Sequence, residues 1–302
     1  MIKHLTKMLD LAKPDIISIL DLADSMKKDL KQGKANQPLK GKTLAMIFQK
    51  ASTRTRVSFE TGMYQLGGQA LFLSAADLQM GRGEPIEDTA RVLGRYVDGI
   101  MIRTFAQSDV EDLAKWANIP VINGLTDYDH PCQILADLMT IREHKGRLEG
   151  LKLAYIGDGN NVCNSLVVGC LTCGMKVSVA VPEGHEPHQD VLEFAKKYCD
   201  AFSLVREPGE AANASDILVT DTWASMGQEE EAKERRKIFA NYQINAELMA
   251  KANPNAMVLH CLPAYRGEEI TTDIFEAHAH EIFDEAENRL HAQKAVMAML
   301  MG

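Results

Sequence analysis

The chain has 302 residues, 46% of them hydrophobic and 25% charged, an ordinary globular composition that suits two domains of roughly 150 residues each. A formal net charge of -9 leaves no basic surplus to neutralise a nucleic-acid backbone, although a local group of arginines can still dominate one pocket. A chain of this size buries sizeable cores without disulfide staples, so the six cysteines, at positions 132, 163, 170, 173, 199 and 261, read as reduced thiols.

The N-terminus, Met1 to Met8, has no continuous apolar stretch of signal-peptide type, and no run of about 18 apolar residues occurs. The expectation is a cytoplasmic protein or a mature organellar form. In the first half, short and almost continuously apolar strands are predicted over Thr43–Phe48, Ala70–Leu73, Gly99–Ile102 and Pro120–Asn123. The first is followed at once by Gln49-Lys-Ala-Ser-Thr-Arg-Thr-Arg56 and a new helix. Hydroxyl residues at a strand-to-helix turn, with the positive end of the helix, suit a phosphate, and Arg54 and Arg56 offer paired guanidinium donors. A plain Ser/Thr helix cap followed by solvated arginines is the alternative. No Walker A pattern is present.

A helix is predicted over Glu87–Tyr96. Arg103 then ends the third strand, where a cation sits at the carboxyl edge of the sheet. Asp129-His-Pro-Cys-Gln133 opens the helix expected to join the two halves, Pro131–His144. There His130 can donate to a carbonyl oxygen and Gln133 can bind an amide or ammonium group, unless both are merely structural. Gly146 and Gly150 bracket the link to the second half.

Strands are predicted there over Leu151–Ile156, Lys176–Val181, Asp216–Thr220 and Ala256–His260, with a helix over Val191–Tyr198. Gly157-Asp-Gly-Asn-Asn161 begins like a dinucleotide fingerprint, but position 162 is Val and no acid ends the next strand, which argues against NAD. Asn160 and Asn161 suit an amino-acid head group instead. The Cys170/Cys173 pair lies in an apolar helical stretch and reads as packing rather than zinc or redox chemistry.

Asp221, ending its strand, is a natural partner for an ammonium group or else a helix cap, with a loop tip at Gly227. The charged run Gln228–Lys237 reads as a solvated helix face. In His260-Cys-Leu-Pro263, alternation along a strand would keep His260 and Cys261 apart, so Cys261 reads as a polar lining rather than a nucleophile. A terminal amphipathic helix is predicted over Glu285–Met301.

Taken together, Ser52-Thr-Arg-Thr-Arg56, His130-Pro-Cys-Gln133, Asp221 with Ser225-Met-Gly227, His260-Cys-Leu-Pro263 and Arg266-Gly-Glu-Glu-Ile270 resemble the aspartate/ornithine carbamoyltransferase family, in order and from about residue 4 to the C-terminus. The last three resemble its ornithine branch. Gln49-Lys-Ala departs slightly from the usual segment before the first motif.

The resemblance implies an α/β fold of two doubly wound parallel-sheet domains. Residues 1–146, with the terminal helix 287–302 packing back, would form a carbamoyl-phosphate-binding domain, and 147–286 an ornithine-binding domain. It also implies a homotrimer with active sites between subunits, no metal or organic cofactor, and transfer of a carbamoyl group from carbamoyl phosphate to ornithine, giving citrulline; the direction of arginine biosynthesis is favoured over the catabolic one because the sequence has no obvious extra segment for larger assembly. By the same resemblance Ser52, Thr53, Arg54 and Thr55 hold the phosphate, assisted by Arg103 and by Gln79 of a neighbouring subunit. His130 and Gln133 address the carbamoyl group, and Arg289 closes over it. Asn161, Asp221, Ser225 and Met226 hold the ornithine head group, while Cys261 and Leu262 border its side-chain amine and the carbamoyl phosphate. The catalytic set implied is Arg54, Arg103, His130 and Cys261. Putrescine, N-acetylornithine or aspartate as the acceptor, and a non-catalytic binding protein on the same fold, are the alternatives.

Overall fold

The computed structural model describes residues 2–224 and 231–302, so Ser225 and Met226, expected to hold a substrate head group, lie outside the described residues. The chain divides into two compact units, Met1–Met139 with Asn288–Gly302, and Thr140–Glu287. The sequence-based boundary after residue 146 lies beyond the point where the chain changes unit.

The first unit is built on a parallel sheet in the order β2-β1-β3-β4, with β1 at Thr43–Phe48, β2 at Gln69–Ser74, β3 at Gly99–Arg103 and β4 at Val121–Leu125. Leu44 to Ile47 and Ile100 to Ile102 are fully buried, as befits strands covered on both faces. Around them run α1 (Lys13–Lys31), α2 (Thr53–Gln65), α3 (Ile86–Tyr96) and α4 (Gln107–Trp116). Helix α1 is absent from the elements predicted above, although its buried Ile16, Ile19, Leu20, Ala23 and Met26 recur at helical spacing.

The chain changes unit inside α5 (Pro131–Lys145), whose residues 131–141 are all buried. A helix covered on every side has no polar stripe, so its sequence shows little amphipathic contrast.

The second unit carries a parallel sheet in the order β7-β6-β5-β8-β9. Its strands are β5 (Lys152–Ile156), β6 (Lys176–Ala180), β7 (Phe202–Val205), β8 (Ile217–Thr220) and β9 (Met257–His260). Edge strand β7 was not predicted: Phe-Ser-Leu-Val is short and half-exposed, so no continuous apolar run marks it. The helices are α6 (Asn161–Thr172), α7 (Gln189–Ala195), α8 (Pro208–Ala212), α9 (Ala232–Ile238), α10 (Ala246–Met249), α11 (Thr272–Ala277) and α12 (Ala279–Met301), the last returning the chain to the first unit. Helix α12 starts six residues before its predicted beginning, because its first turns, with His280, Glu281 and Asp284, are polar enough to hide the apolar period. Cys163, Cys170 and Cys173 are buried on or at the end of α6, in keeping with a packing role. Among the described residues no helix is long and apolar enough to cross a membrane.

The loop after β5 shows why glycine is needed at one position. A Cβ on Gly159 would stand 2.4 Å from the carbonyl carbon of Glu186, from His185 O and from Pro187 N, all backbone atoms. Backbone cannot swing aside as a side-chain tip does. Gly159→Ala is therefore expected to cost about 1–3 kcal/mol, read as a lowered urea midpoint; an unchanged midpoint would refute the close approach.

Candidate active site

Two groups of side chains lie at the carboxyl ends of the two sheets, one in each unit. In the first, the chain leaves β1 through Gln49, whose amide donates to Arg103 O at 2.8 Å and whose side chain accepts from Thr104 Oγ1 at 2.7 Å. The residue that departs from the usual family segment thus ties the loop after β1 to the end of β3. Ser52 then caps α2, its Oγ accepting from Thr55 N at 3.2 Å. The cap reading and the anion-binding reading are compatible here, since the cap holds open the turn from which the helix amides point.

Thr55 is buried, whereas Thr53 and Arg54 are exposed at the start of the helix. Arg56 does not join this group: its Nε pairs with Glu60 at 2.9 Å and its guanidinium lies 3.8 Å from the centre of the Phe72 ring. From α12, Arg289 donates through Nη1 to Gln133 Oε1 at 2.6 Å and through Nη2 to Thr55 Oγ1 at 3.3 Å. Gln133 is oriented in turn by donating to Asp137 Oδ1 at 2.8 Å. Gln79 lies exposed on a 3-10 helix, Gln79–Arg82, and these hydrogen bonds do not include it.

His130 precedes the first residue of α5 and is buried with Arg103 and Arg289. Burial first, then the guanidinium groups of Arg289, Arg103 and Arg54, push its imidazole well below the usual histidine pKa. That direction favours the neutral imidazole over the cation at physiological pH. Lys50 is a further buried cation that the sequence reading did not single out. Its Nζ pairs with the Asp127 carboxylate and lies 4.2 Å from the Phe105 ring centre, bracing the loop after β1. Its place between strand end and motif was the available signal.

In the second unit the centre is Asp221, which follows β8. Oδ2 accepts from Asn160 Nδ2 at 2.7 Å, and Oδ1 from Thr222 N at 2.7 Å and Cys261 Sγ at 3.0 Å. The amide touching Asp221 is therefore that of Asn160, which also caps α6 by accepting from Val162 N and Cys163 N. Asn161, the residue named from the sequence, begins α6 and accepts from Val162 N at 3.0 Å.

His260 accepts from Leu262 N through Nδ1 at 2.9 Å, which leaves its proton on Nε2 facing Glu269 Oε1 at 3.0 Å. The expectation that His260 and Cys261 do not act as a pair agrees with this, but strand alternation is not the cause, because Cys261 lies past the end of β9. Both nitrogens of His260 are already engaged. Ligand atoms of Asp221, His260 and Cys261 do lie within 4.8 Å of one another, yet each has the hydrogen-bonding role just given. Leu262 holds φ at +58°, a left-handed conformation that non-glycine residues rarely adopt away from functional loops.

Of the charged run Gln228–Lys237, residues 228–230 lie outside the described residues, and the remainder is solvated except at one position. Arg235, on α9, is buried, donates to Trp223 O and pairs with Asp158, which also contacts His185 Nδ1 at 3.2 Å. Burial outweighs these partners and raises the Asp158 carboxyl above the usual range. Arg235 thereby ties α9 to the loop after β5. The first unit thus offers guanidinium groups and a helix terminus for an anion with a carbonyl to polarise, and the second a fixed carboxylate for an ammonium group.

Asn160→Ala removes a helix cap and a donor to a carboxylate together. A loss of about 2–4 kcal/mol is expected, measured as the unfolding free energy in urea. A loss under about 0.5 kcal/mol would show that Asn160 carries neither role.

Residues 3–143 match the aspartate/ornithine carbamoyltransferase carbamoyl-P binding domain, and residues 149–300 the Asp/Orn binding domain of the same family. An ornithine carbamoyltransferase of Carboxydothermus hydrogenoformans is 57% identical over 98% of this chain and 96% of its own. One of Thermococcus kodakarensis is 56% identical over 97% and 94%. The structure of ornithine carbamoyltransferase from Pyrococcus furiosus superposes with a TM-score of 0.95 at 53% identity, covering 99% of this chain and 97% of that one. An anabolic ornithine carbamoyltransferase of Campylobacter jejuni gives 0.93 at 42% identity, with 99% of both chains covered. On this likeness, which runs through both units, the chain belongs to the aspartate/ornithine carbamoyltransferase family.

Proposed function

We propose that the protein transfers the carbamoyl group of carbamoyl phosphate to the δ-amine of L-ornithine, giving L-citrulline and phosphate. The observation that carries the choice of acceptor is Asp221, a carboxylate whose oxygens are held by Asn160, Thr222 and Cys261. Such a group suits an α-ammonium. Aspartate would need cations for its second carboxylate, putrescine has no α head group, and the α-nitrogen of N-acetylornithine carries no charge. The curated relatives named above, both ornithine carbamoyltransferases, support the same acceptor.

In this reading Ser52, Thr53, Arg54 and Thr55 receive the phosphate at the N-terminus of α2, with Arg103 and the Gln79 of a neighbouring subunit. Arg289 closes over the ligand, and Gln133 takes the carbamoyl nitrogen. Asn161, Asp221, Ser225 and Met226 take the head group of ornithine, with Cys261 and Leu262 along its side chain.

The δ-amine is lysine-like, with a free pKa near about 10.4, so its nucleophilic form is scarce at neutral pH. Guanidinium groups near the reacting centre favour loss of that proton. The neutral amine attacks the carbonyl carbon while Arg103, the Thr55 hydroxyl and neutral His130 donate to the oxygen on which charge grows. Collapse expels phosphate, whose oxygens accept the proton released by the amine, so the reaction balances without a dedicated protein base. Positioning of the two reactants supplies much of the remaining rate.

We further propose that the chain works as a homotrimer in the cytoplasm, in the direction of arginine biosynthesis. Exposed Val57, Tyr64, Leu71 and Phe72 on α2 and edge strand β2 provide apolar surface for a neighbouring subunit. Among the described residues no two cysteines form a disulfide, which suits a reducing compartment. The Campylobacter relative is described as anabolic.

Citrulline or product formation from carbamoyl phosphate should be measured with ornithine, putrescine, aspartate and N-acetylornithine in parallel. Ornithine is expected to be strongly preferred, with Asp221→Ala raising its KM by about a hundredfold or more, the cost of a lost charge-assisted contact. Preferred turnover of another amine would overturn the acceptor assignment, and no turnover would favour the binding-protein alternative. Light scattering should give three times the 33.4 kDa chain mass, and a monomer would remove the shared-site reading.

A further inference from the structure

Near the joint of α5 and α12, and wholly within the second unit, lies a group of titratable side chains that the transfer reaction does not use. His144 stands in the last turn of α5, and His280 and Glu281 stand in the first turn of α12. One ligand atom from each of these three lies within 4.8 Å of the others. The two imidazole rings are 5.9 Å apart. The fixed member is Glu281: its Oε2 accepts from Val258 N at 2.9 Å and contacts His278 Nδ1 at 2.7 Å. Its Oε1 is turned toward His280 Nε2, 3.9 Å away.

On the other side, Nε2 of His144 is 2.9 Å from Oδ2 of Asp284, which shares a helical face with His280 one turn away. A carboxylate on one nitrogen of an imidazole is the arrangement that orients histidine ligands toward a metal and raises their basicity.

We propose that His144, His280 and Glu281, oriented by Asp284 and His278, form a surface binding site for a divalent ion of the zinc class. Two imidazoles and one carboxylate are the donor set of a borderline transition ion, whereas calcium and magnesium seek oxygen alone. Bond lengths of about 2.0–2.2 Å require the three donors to close together by small rotations. The exposed His280 side chain, 66% accessible, can supply them, while Glu281 and His144 are held by their partners. A bound ion would tie the end of α5 to the start of α12, where ordinary hydrogen bonds now do so.

The site is tested by titrating chelator-treated full-length protein with zinc chloride in a calorimeter, comparing wild type with His280→Ala, His144→Gln and Cys261→Ser. The last variant separates this site from the Asp221, His260 and Cys261 group. Wild type and Cys261→Ser should share one binding event that excess magnesium does not displace, and both histidine variants should weaken it by about tenfold or more. His280→Ala should keep its metal-free unfolding midpoint and its transfer activity, since the side chain is exposed and touches no proposed substrate residue. Zinc binding equally tight in His280→Ala, binding lost only in Cys261→Ser, or no zinc uptake by wild type would each overturn the proposal.

Discussion

Three guanidinium groups act on one buried imidazole in the first unit, and much of the proposed chemistry depends on how that arrangement is tolerated. Arg103 comes from the end of β3, Arg54 from the start of α2 and Arg289 from α12, so residues far apart in sequence converge on His130. Like charges this close repel, and the repulsion grows as water is excluded. Part of the relief comes from His130 itself, which gives up its proton. Arg289 gains further support by donating to Gln133 and Thr55, both neutral acceptors. A region so arranged favours an anion, and the chain's overall charge of -9 has little say in so local a potential.

The second unit solves the complementary problem. Asp221 is buried, and among the described residues its oxygens accept from three neutral donors. That distinction matters for recognition: donors can stabilise a carboxylate while leaving it negative, whereas an internal arginine would have neutralised it before an ammonium arrived. Arg235 is placed where it assists without doing so, on Asp158 and Trp223. The geometry around Asp221 therefore rests on the loop after β5, which in turn rests on the absence of a side chain at Gly159.

Much of this was legible in the sequence because the fold leaves strong local marks. The buried strands β1 and β3 are continuous apolar runs, and the motifs that follow their ends are polar and unlike their surroundings. Ser52, Thr55, Gln133 and Arg289 could be named, and the structure joins them by hydrogen bonds. What escaped depended on contacts that spacing does not encode. Asn160 and Asn161 are adjacent and chemically identical, so only the turn at the start of α6 decides which amide reaches Asp221. Arg235 sits within a run of charges, and nothing in that run shows that one of them turns inward. Strand β7 and the first turns of α12 carry too few apolar residues to mark a period. The positive φ of Leu262 has no signature at all in a Leu-Pro dipeptide.

Burial and the surrounding guanidinium groups favour a neutral His130, in a region suited to a phosphate anion. The most direct measurement is the NMR titration of the His130 imidazole, assigned by comparison with His130→Asn, in the absence and presence of inorganic phosphate. The account predicts a neutral ring to well below pH 6.5 in the protein alone, and an upward shift of its pKa once the anion offsets the guanidinium charge. An ordinary titration near pH 6.5 that phosphate leaves unchanged would contradict it.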